Sequence, residues 1–203
     1  MLLSVKKRQT YLKELGFYTG EVDGKVGPLT KKAYKDLQVK YFTKKTRPKD
    51  TNGIYGSDTD TLLRNVYKCK NLKHFKVTEF RCKCTKHCTG YPVVLDTNLL
   101  AYLDDLRSDY KKSINITSGM RCKTHNKNVG GSTTGRHTQG KAADIYMSGT
   151  SDTHKGRQKL VDYWIKNYEN SRYAYCKGYG RTKSKISYPS SNTMGNATHL
   201  DVK

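Results

Sequence analysis

The chain has 203 residues, with 39 Lys plus Arg against 17 Asp plus Glu, so its formal net charge is +22. A hydrophobic fraction of 34% supplies apolar side chains for packed cores and argues against a fully disordered chain. The length allows one large domain or two small ones. The positive charge predicts an anionic partner, but charge alone does not choose among nucleic acid, membrane lipid and bacterial wall polymers.

No stretch of the sequence approaches the ~20 uninterrupted apolar residues of a membrane-spanning helix. Residues 1–5 run directly into the basic residues 6–8, so the apolar segment is too short for the core of a signal peptide. We therefore expect a soluble chain that is made in the cytoplasm.

Three short helices are predicted in the first third of the chain. The first ends near Gly16, where a left-handed C-cap would lie, and the second begins at Pro28, which suits a first helical position. The third begins at Ser57, with Asp60 three residues later as in a capping box. With the turn-rich loop between the first two helices, they make a small domain over residues 1–68. Their apolar faces consist of Val5, Leu12 and Leu15, of Leu29, Ala33 and Leu37, and of Leu62, Leu63 and Val66.

The second part, residues 69–203, combines helices and short strands. Asp96 can cap a helix whose leucines recur at helical spacing, and another helix carries Leu160, Trp164 and Tyr168. The predicted fold class is therefore α+β: a small three-helix N-terminal domain, then a mixed α+β domain with a central antiparallel sheet. Strand-like runs occur at 114–117, 142–147, 173–176 and 198–202.

Two histidines and an aspartate in the second part can form a zinc site. A catalytic zinc takes three protein ligands from His, Cys, Asp or Glu and keeps one position for water. His137, Asp144 and His199 can supply that set, because Asp144 and His199 lie on strand-like runs that could be neighbours in a sheet. Asp201 follows His199 by two residues, so both side chains share one face of the last strand.

Four motifs occur in order in the second part of the chain: S-G-M-R at 118–121, N-K-N-V-G-G at 126–131, H-T-Q-G-K-A-A-D at 137–144 and H-L-D at 199–201. In this order they resemble the zinc D-alanyl-D-alanine carboxypeptidase family of peptidoglycan peptidases, which shares a core with lysostaphin-type enzymes and the hedgehog fold. This resemblance covers residues 72–203. Residues 15–30, L-G-F-Y-T-G-E-V-D-G-K-V-G-P-L-T, resemble the three-helix peptidoglycan-binding domain often joined to wall hydrolases.

The resemblance implies roles for individual residues. His137, Asp144 and His199 would bind zinc. Arg121 would hold a carbonyl or carboxylate of the substrate, to which its planar fork of donors is suited. Asp201 is the first candidate for the general base, with the alternative that it orients a ligand histidine.

Two positions depart from the family pattern. Many members have an acid or a histidine shortly before the last zinc ligand, where this chain has Asn196. They also commonly have a serine two residues before the first histidine, where this chain has Gly135. The first departure leaves the identity of the general base open, and the second bears on how the substrate fits.

The six cysteines are interpreted as thiols or metal ligands, because no secretory signal supports an oxidising compartment. Cys82, Cys84 and Cys88, with His87 nearby, could hold a second, structural zinc if a fourth ligand such as Cys122 joined them. The spacing is not that of a recognised zinc finger, so the sequence favours thiols or a disulfide.

The sequence thus predicts a peptidoglycan hydrolase with a peptidoglycan-binding domain at residues 1–68 and a zinc peptidase domain at residues 69–203. It would hydrolyse an amide bond of the stem peptides as a D,D-carboxypeptidase or endopeptidase. The absence of a signal peptide fits an endolysin that reaches the cell wall after lysis. We expect Zn²⁺ as the cofactor, peptidoglycan as the partner and a monomer.

Two other classes of protein compete with this interpretation. A wall-binding protein without activity would explain the missing acid before His199. A nucleic-acid-binding protein would explain the charge, but the sequence has no helix-turn-helix, zinc-finger or aromatic RNA-reading signature, so no nucleic acid is expected.

Overall fold

The structure is a computed structural model that describes residues 1–42, 50–84, 88, 94–189 and 194–203. It confirms the α+β class, with helices in both parts of the chain and one antiparallel sheet in the second part. The helices are α1 Val5–Glu14, α2 Pro28–Tyr41, α3 Ser57–Lys68, α4 Thr97–Tyr110, α5 Lys123–Asn128 and α6 His154–Asn167. The strands are β1 Ile114–Ser118, β2 Ala142–Met147, β3 Ser171–Cys176, β4 Tyr179–Arg181, β5 Ile186–Ser187 and β6 Thr198–Val202.

Helix α1 ends and helix α2 begins as the sequence predicts. Gly16 follows α1 at a φ of 77°, a conformation that costs glycine little, and its N–H donates to the Lys13 carbonyl at 3.0 Å. Pro28 is the first residue of α2. The buried Gln9 fixes the turn-rich loop between these helices, since its amide nitrogen donates to Asp23 Oδ1 at 2.7 Å and its amide oxygen accepts from the Gly24 N–H at 2.8 Å.

The predicted capping box of α3 is wrong. Gly56, not Ser57, is the N-cap, and no side chain caps the helix there. Asp60 instead makes long-range contacts: its carboxylate accepts from the Leu3 N–H at 2.7 Å and from the Arg64 Nε at 2.6 Å. The carboxylate therefore joins the start of the chain to the third helix, which a local sequence pattern cannot reveal.

The sheet has the strand order β1-β2-β6-β3-β4-β5, with every neighbouring pair antiparallel. The last strand, β6, therefore lies in the middle of the sheet between β2 and β3. Leu200 and Val202 of β6 belong to the hydrophobic core, and His199 and Asp201 point to the opposite face of the strand.

Helices α4 and α6 both pack against β6 and build the core of this part of the chain. The predicted cap of α4 is confirmed, because Asp96 accepts from the Asn98 N–H at 2.8 Å and from the Leu99 N–H at 3.3 Å. Trp164 of α6 is fully buried, and its indole N–H donates to the Asp201 carbonyl at 3.0 Å. That hydrogen bond fixes the helix against the central strand.

Helix α3 ends at Lys68, where the sequence-based prediction divides the chain. Two contacts cross from this helix to the segment before α4: the Leu95 N–H donates to Asn65 Oδ1 at 3.1 Å, and Lys68 Nζ donates to the Leu95 carbonyl at 2.7 Å. The division into residues 1–68 and 69–203 stays a prediction, and the two sides of it are in contact.

Within the described part of the chain, no helix has both the length and the apolar character that crossing a bilayer requires.

Asp60→Asn is expected to lower the free energy of unfolding by about 2 kcal/mol, because hydrogen bonds to a buried charged group are lost or weakened. Burial raises the pKa of Asp60, but the hydrogen bonds from Arg64 and Leu3 outweigh it and hold the pKa below its usual value. The stabilisation is therefore present above the unfolded-state pKa and is lost as the pH falls through the lower folded-state pKa.

Urea unfolding at neutral and acidic pH measures this effect. The matched control is Asp36→Asn, which breaks only an exposed ion pair with Lys32 on α2 and should change stability little. Equal unfolding curves for D60N and the wild type at neutral pH would contradict the assigned role of Asp60.

Candidate metal centre

The pairing of β2 with β6 places two of the predicted ligands opposite each other. Asp144 of β2 is the register partner of His199 of β6. His137 reaches the same point from the 3₁₀ turn Arg136–Gln139, which directly precedes β2. All three side chains are buried, and the structure brings them together as a group that can hold a metal ion.

One donor atom from each residue converges on a common point. His137 Nε2 lies 3.2 Å from Asp144 Oδ1 and 3.2 Å from His199 Nδ1. His199 Nδ1 lies 2.8 Å from Asp144 Oδ1. The three atoms therefore form a small triangle, as three ligands of one ion do.

The second nitrogen of each histidine has a hydrogen-bond acceptor. His137 Nδ1 lies 2.7 Å from the Gly119 carbonyl, and His199 Nε2 lies 3.4 Å from Asp201 Oδ2. A carbonyl can only accept, so the proton of neutral His137 is on Nδ1 and its Nε2 lone pair faces the centre. The contact with Asp201 favours the corresponding tautomer of His199, with a lone pair on Nδ1.

Two motif glycines allow the backbone to make these contacts. A Cβ on Gly119 would lie 2.6 Å from the Phe80 Cα, where the Met120 N–H donates to the Phe80 carbonyl. Gly140 has a φ of 69°, and a Cβ there would lie 1.8 Å from the Val94 carbonyl oxygen. Only glycine fits at these positions. Gly119 supplies the carbonyl that His137 contacts, and Gly140 ends the turn that carries His137.

Arg121 holds the second oxygen of Asp144. Its Nη2 pairs with Asp144 Oδ2, its Nε donates to Ser118 Oγ at 2.7 Å, and its Nη1 donates to Asn126 Oδ1 at 3.2 Å. The arginine side chain is 17% exposed and borders a cleft, so it contacts both the predicted ligand and open space.

The charges of the site favour a cation. Burial raises the pKa of Asp144, but hydrogen bonds from His137 and His199 outweigh it and hold the pKa well below its usual range. Burial lowers the pKa of His199, but hydrogen bonds to Asp144 and Asp201 more than offset it and raise the pKa to about 9. The carboxylates therefore stabilise positive charge at this point.

Asp201 lies on the far side of His199 from the other two predicted ligands. The residue is fully buried, and its carboxylate pairs with Arg172 and accepts from the Tyr173 N–H at 2.8 Å. With His199 as the third partner, its oxygens are occupied by the protein. This geometry favours the orienting role for Asp201 over that of a general base.

A cleft of about 640 Å³ lies beside the centre and borders Asp144 and Arg121. Asn196, at the position where family members often have an acid or a histidine, lines this cleft, and its Oδ1 accepts from Arg157 at 3.0 Å. Among the described lining residues, Asp144 is the one carboxylate. The other lining residues include Thr117, Ser118, Val129, Gly130, Gly131, Tyr146, Tyr175, Met194 and Ala197.

Sequence reasoning did not single out Tyr175 as a site residue. It is the register partner of His199 on β3, and the two ring centroids are 4.6 Å apart. Burial raises its pKa to about 12, so its hydroxyl is protonated at neutral pH and can donate a hydrogen bond. The pairing of β3 with β6 would have indicated this position, but the sequence does not reveal the strand order.

Two histidines and a carboxylate beside an open cleft resemble the donor sets that hold catalytic zinc in some hydrolases. Comparison with known families agrees with this class. The model of the Peptidase M15 family matches residues 73–184, more than half of the chain, and the chain belongs to this family. The match includes His137 and Asp144 and ends before His199 and Asp201.

The model of a peptidoglycan binding domain matches residues 3–63, which contain α1, α2 and most of α3. Together the two matches support a peptidase that acts on peptidoglycan at the cell wall. A separate comparison with curated proteins found no match to the chain.

Proposed function

We propose that this protein is a zinc-dependent peptidoglycan peptidase in which His137, Asp144 and His199 bind the metal. The convergence of their three donor atoms carries the proposal. Tetrahedral zinc with bonds of 2.0–2.2 Å needs ligand atoms about 3.4 Å apart. The observed separations of 3.2, 3.2 and 2.8 Å are close to this, so small side-chain movements would complete the site.

The donor chemistry also fits zinc. Imidazole nitrogen and carboxylate oxygen are common ligands of catalytic zinc, and three protein ligands leave a position for water or substrate. Each proposed ligand has an outer partner: the Gly119 carbonyl for His137, Arg121 for Asp144 and Asp201 for His199. Such partners fix the ring orientation and the tautomer of ligating histidines.

A bound zinc would polarise the scissile carbonyl and lower the pKa of water at the site. Arg121 uses three of its five N–H groups on Ser118, Asn126 and Asp144. The remaining N–H groups can donate to a substrate carbonyl or carboxylate in the cleft, and the Tyr175 hydroxyl can add a further hydrogen bond. Both groups would stabilise negative charge that develops on the carbonyl oxygen.

The two family matches and the charge support peptidoglycan as the substrate. A peptidoglycan-binding domain would hold the chain on the wall, and a formal charge of +22 would favour approach to anionic wall polymers at low salt. We propose a D,D-carboxypeptidase or endopeptidase that cleaves stem peptides, acting as an endolysin. The scissile amide would lie in the cleft beside Asp144 and Arg121.

A second candidate is a wall-binding protein without peptidase activity. It is favoured by one observation: among the described residues that line the cleft, none besides Asp144 is a carboxylate that could accept a proton. This candidate predicts retention on peptidoglycan without any product.

Digestion of purified peptidoglycan followed by mass spectrometry of the fragments separates the two candidates. Free D-Ala indicates a carboxypeptidase, and opened cross-links or released stem peptides indicate an endopeptidase. A chelator should stop the reaction, and added zinc should restore it. Binding without product in the zinc-loaded protein would favour the second candidate.

His137→Ala is expected to abolish product formation and to weaken metal binding at this centre, because one of three ligands is lost. The matched control is His154→Ala, since His154 is exposed at the start of α6 and outside the centre. H154A should retain wild-type activity. Full activity in H137A would contradict the assigned ligand set.

Asp201→Asn tests the orienting role. Loss of an outer partner of a ligand histidine typically weakens metal affinity by about 10- to 100-fold. We therefore expect D201N to need more zinc for activity and to recover part of its rate at saturating zinc. Metal affinity is measured by competition with a chelator, and the rate by product release. Unchanged affinity with complete loss of rate would support Asp201 as the general base instead.

A further inference from the structure

A second cluster of metal-binding side chains lies outside the centre described above. Four sulfur atoms, from Cys82, Cys84, Cys88 and Cys122, all lie within 4.8 Å of one another. The sulfur of Cys84 is 3.2 Å from that of Cys88 and 3.6 Å from that of Cys122. All six cysteines are among the described residues, and Cys69 and Cys176 lie outside this cluster as free thiols.

The spacing of these sulfurs matches a tetrahedral thiolate site. Zinc–sulfur bonds of about 2.3 Å place the four ligands of a Cys₄ site about 3.8 Å apart. A disulfide between Cys84 and Cys88 would explain the proximity of two sulfurs. It would not explain why Cys82 and Cys122, from segments far apart in the sequence, converge on the same point.

Hydrogen-bond donors also surround the cluster. The Cys122 N–H donates to the Cys82 sulfur at 3.3 Å, and the His125 N–H donates to the Cys122 sulfur at 3.4 Å. His125 Nδ1 lies 3.2 Å from the Cys82 sulfur. Donors directed at sulfur stabilise thiolates, and such outer contacts orient the ligands of metal sites.

We propose that Cys82, Cys84, Cys88 and Cys122 bind a second, structural zinc ion. Four protein ligands close the coordination sphere, so this zinc has no position for substrate, unlike a catalytic one. The sequence alone favoured thiols or a disulfide, because the spacing matches no recognised finger. The fold supplies what the spacing lacked, since it brings Cys122 to the other three. His87, the other residue considered for this site, lies outside the described residues.

The position of the cluster next to Arg121 indicates what this zinc would stabilise. Cys122 directly follows Arg121, and α5 behind it carries Asn126, which accepts from Arg121 at 3.2 Å. Joining Cys122 to Cys82, Cys84 and Cys88 would fix the backbone from which Arg121 reaches Asp144. The second zinc would therefore stabilise the position of Arg121, which lines the proposed catalytic cleft.

Cobalt substitution of the full-length chain tests the proposal. Thiolate ligands give tetrahedral cobalt an intense ultraviolet charge-transfer band, which a site of two histidines and an aspartate does not give. We expect two metal ions per chain by elemental analysis, together with this band. One ion per chain without the band would overturn the proposal, as would an intact mass showing oxidised, metal-free cysteines.

Two variants separate this site from the proposed catalytic one. Cys84→Ser should lower the metal content from two ions to one and remove the band. His137→Ala should also lose one ion but keep the band, so failure of one site is distinguishable from failure of the other. Cys69→Ala, which removes a thiol outside the cluster, is the matched control and should keep both ions. If C84S does not fold, the wild-type spectrum and metal content still decide the question.

Discussion

The antiparallel pairing of β2 with β6 is the interaction on which the rest of the candidate site depends. It joins residues that are 55 positions apart in the sequence and sets Asp144 opposite His199, with the donor atoms 2.8 Å apart. Because side chains alternate along a strand, a shift of one residue in this register would turn His199 toward the core. The buried Leu200 and Val202 oppose such a shift, since it would move them from the apolar core to the polar face of the strand. Hydrophobic packing of the central strand thus fixes the geometry of the polar centre.

The buried charged groups of the site need partners of opposite charge or hydrogen-bond partners. The structure provides them as a continuous series of side-chain contacts. Arg172 pairs with Asp201, Asp201 contacts His199, and His199 contacts Asp144, which pairs with Arg121. An unpaired buried charge would cost several kcal/mol, so each group stabilises the ionised state of the next. The same series of contacts would orient the proposed zinc ligands. Arg121 and Arg172 lie toward the surface at the two ends of this series. The residues between them, Asp144, His199 and Asp201, are buried.

The sequence predicted the elements that carry strong local patterns and missed those that depend on distant contacts. Helical spacing and caps indicated α1, α2, α3, α4 and α6, and β-type runs indicated β1, β2, β3 and β6. Helix α5 and strands β4 and β5 were not predicted, because their six, three and two residues are too few to show a periodic pattern. Asp60 was assigned to a local capping box because the Leu3 N–H, 57 residues away, is invisible to a local pattern. Motif order predicted the residues that meet at the centre. The partners of Asp201, and the proximity of Cys122 to the other three cysteines, required the fold.

The central claim is that one zinc ion lies between His137 Nε2, Asp144 Oδ1 and His199 Nδ1. The most direct measurement is X-ray diffraction from crystals of the zinc-loaded protein, with data on both sides of the zinc absorption edge. The account predicts an anomalous peak within bonding distance of these three atoms that disappears below the edge. Zinc-saturated crystals with no peak at this position would contradict it, whether or not a second peak lies at the four cysteines.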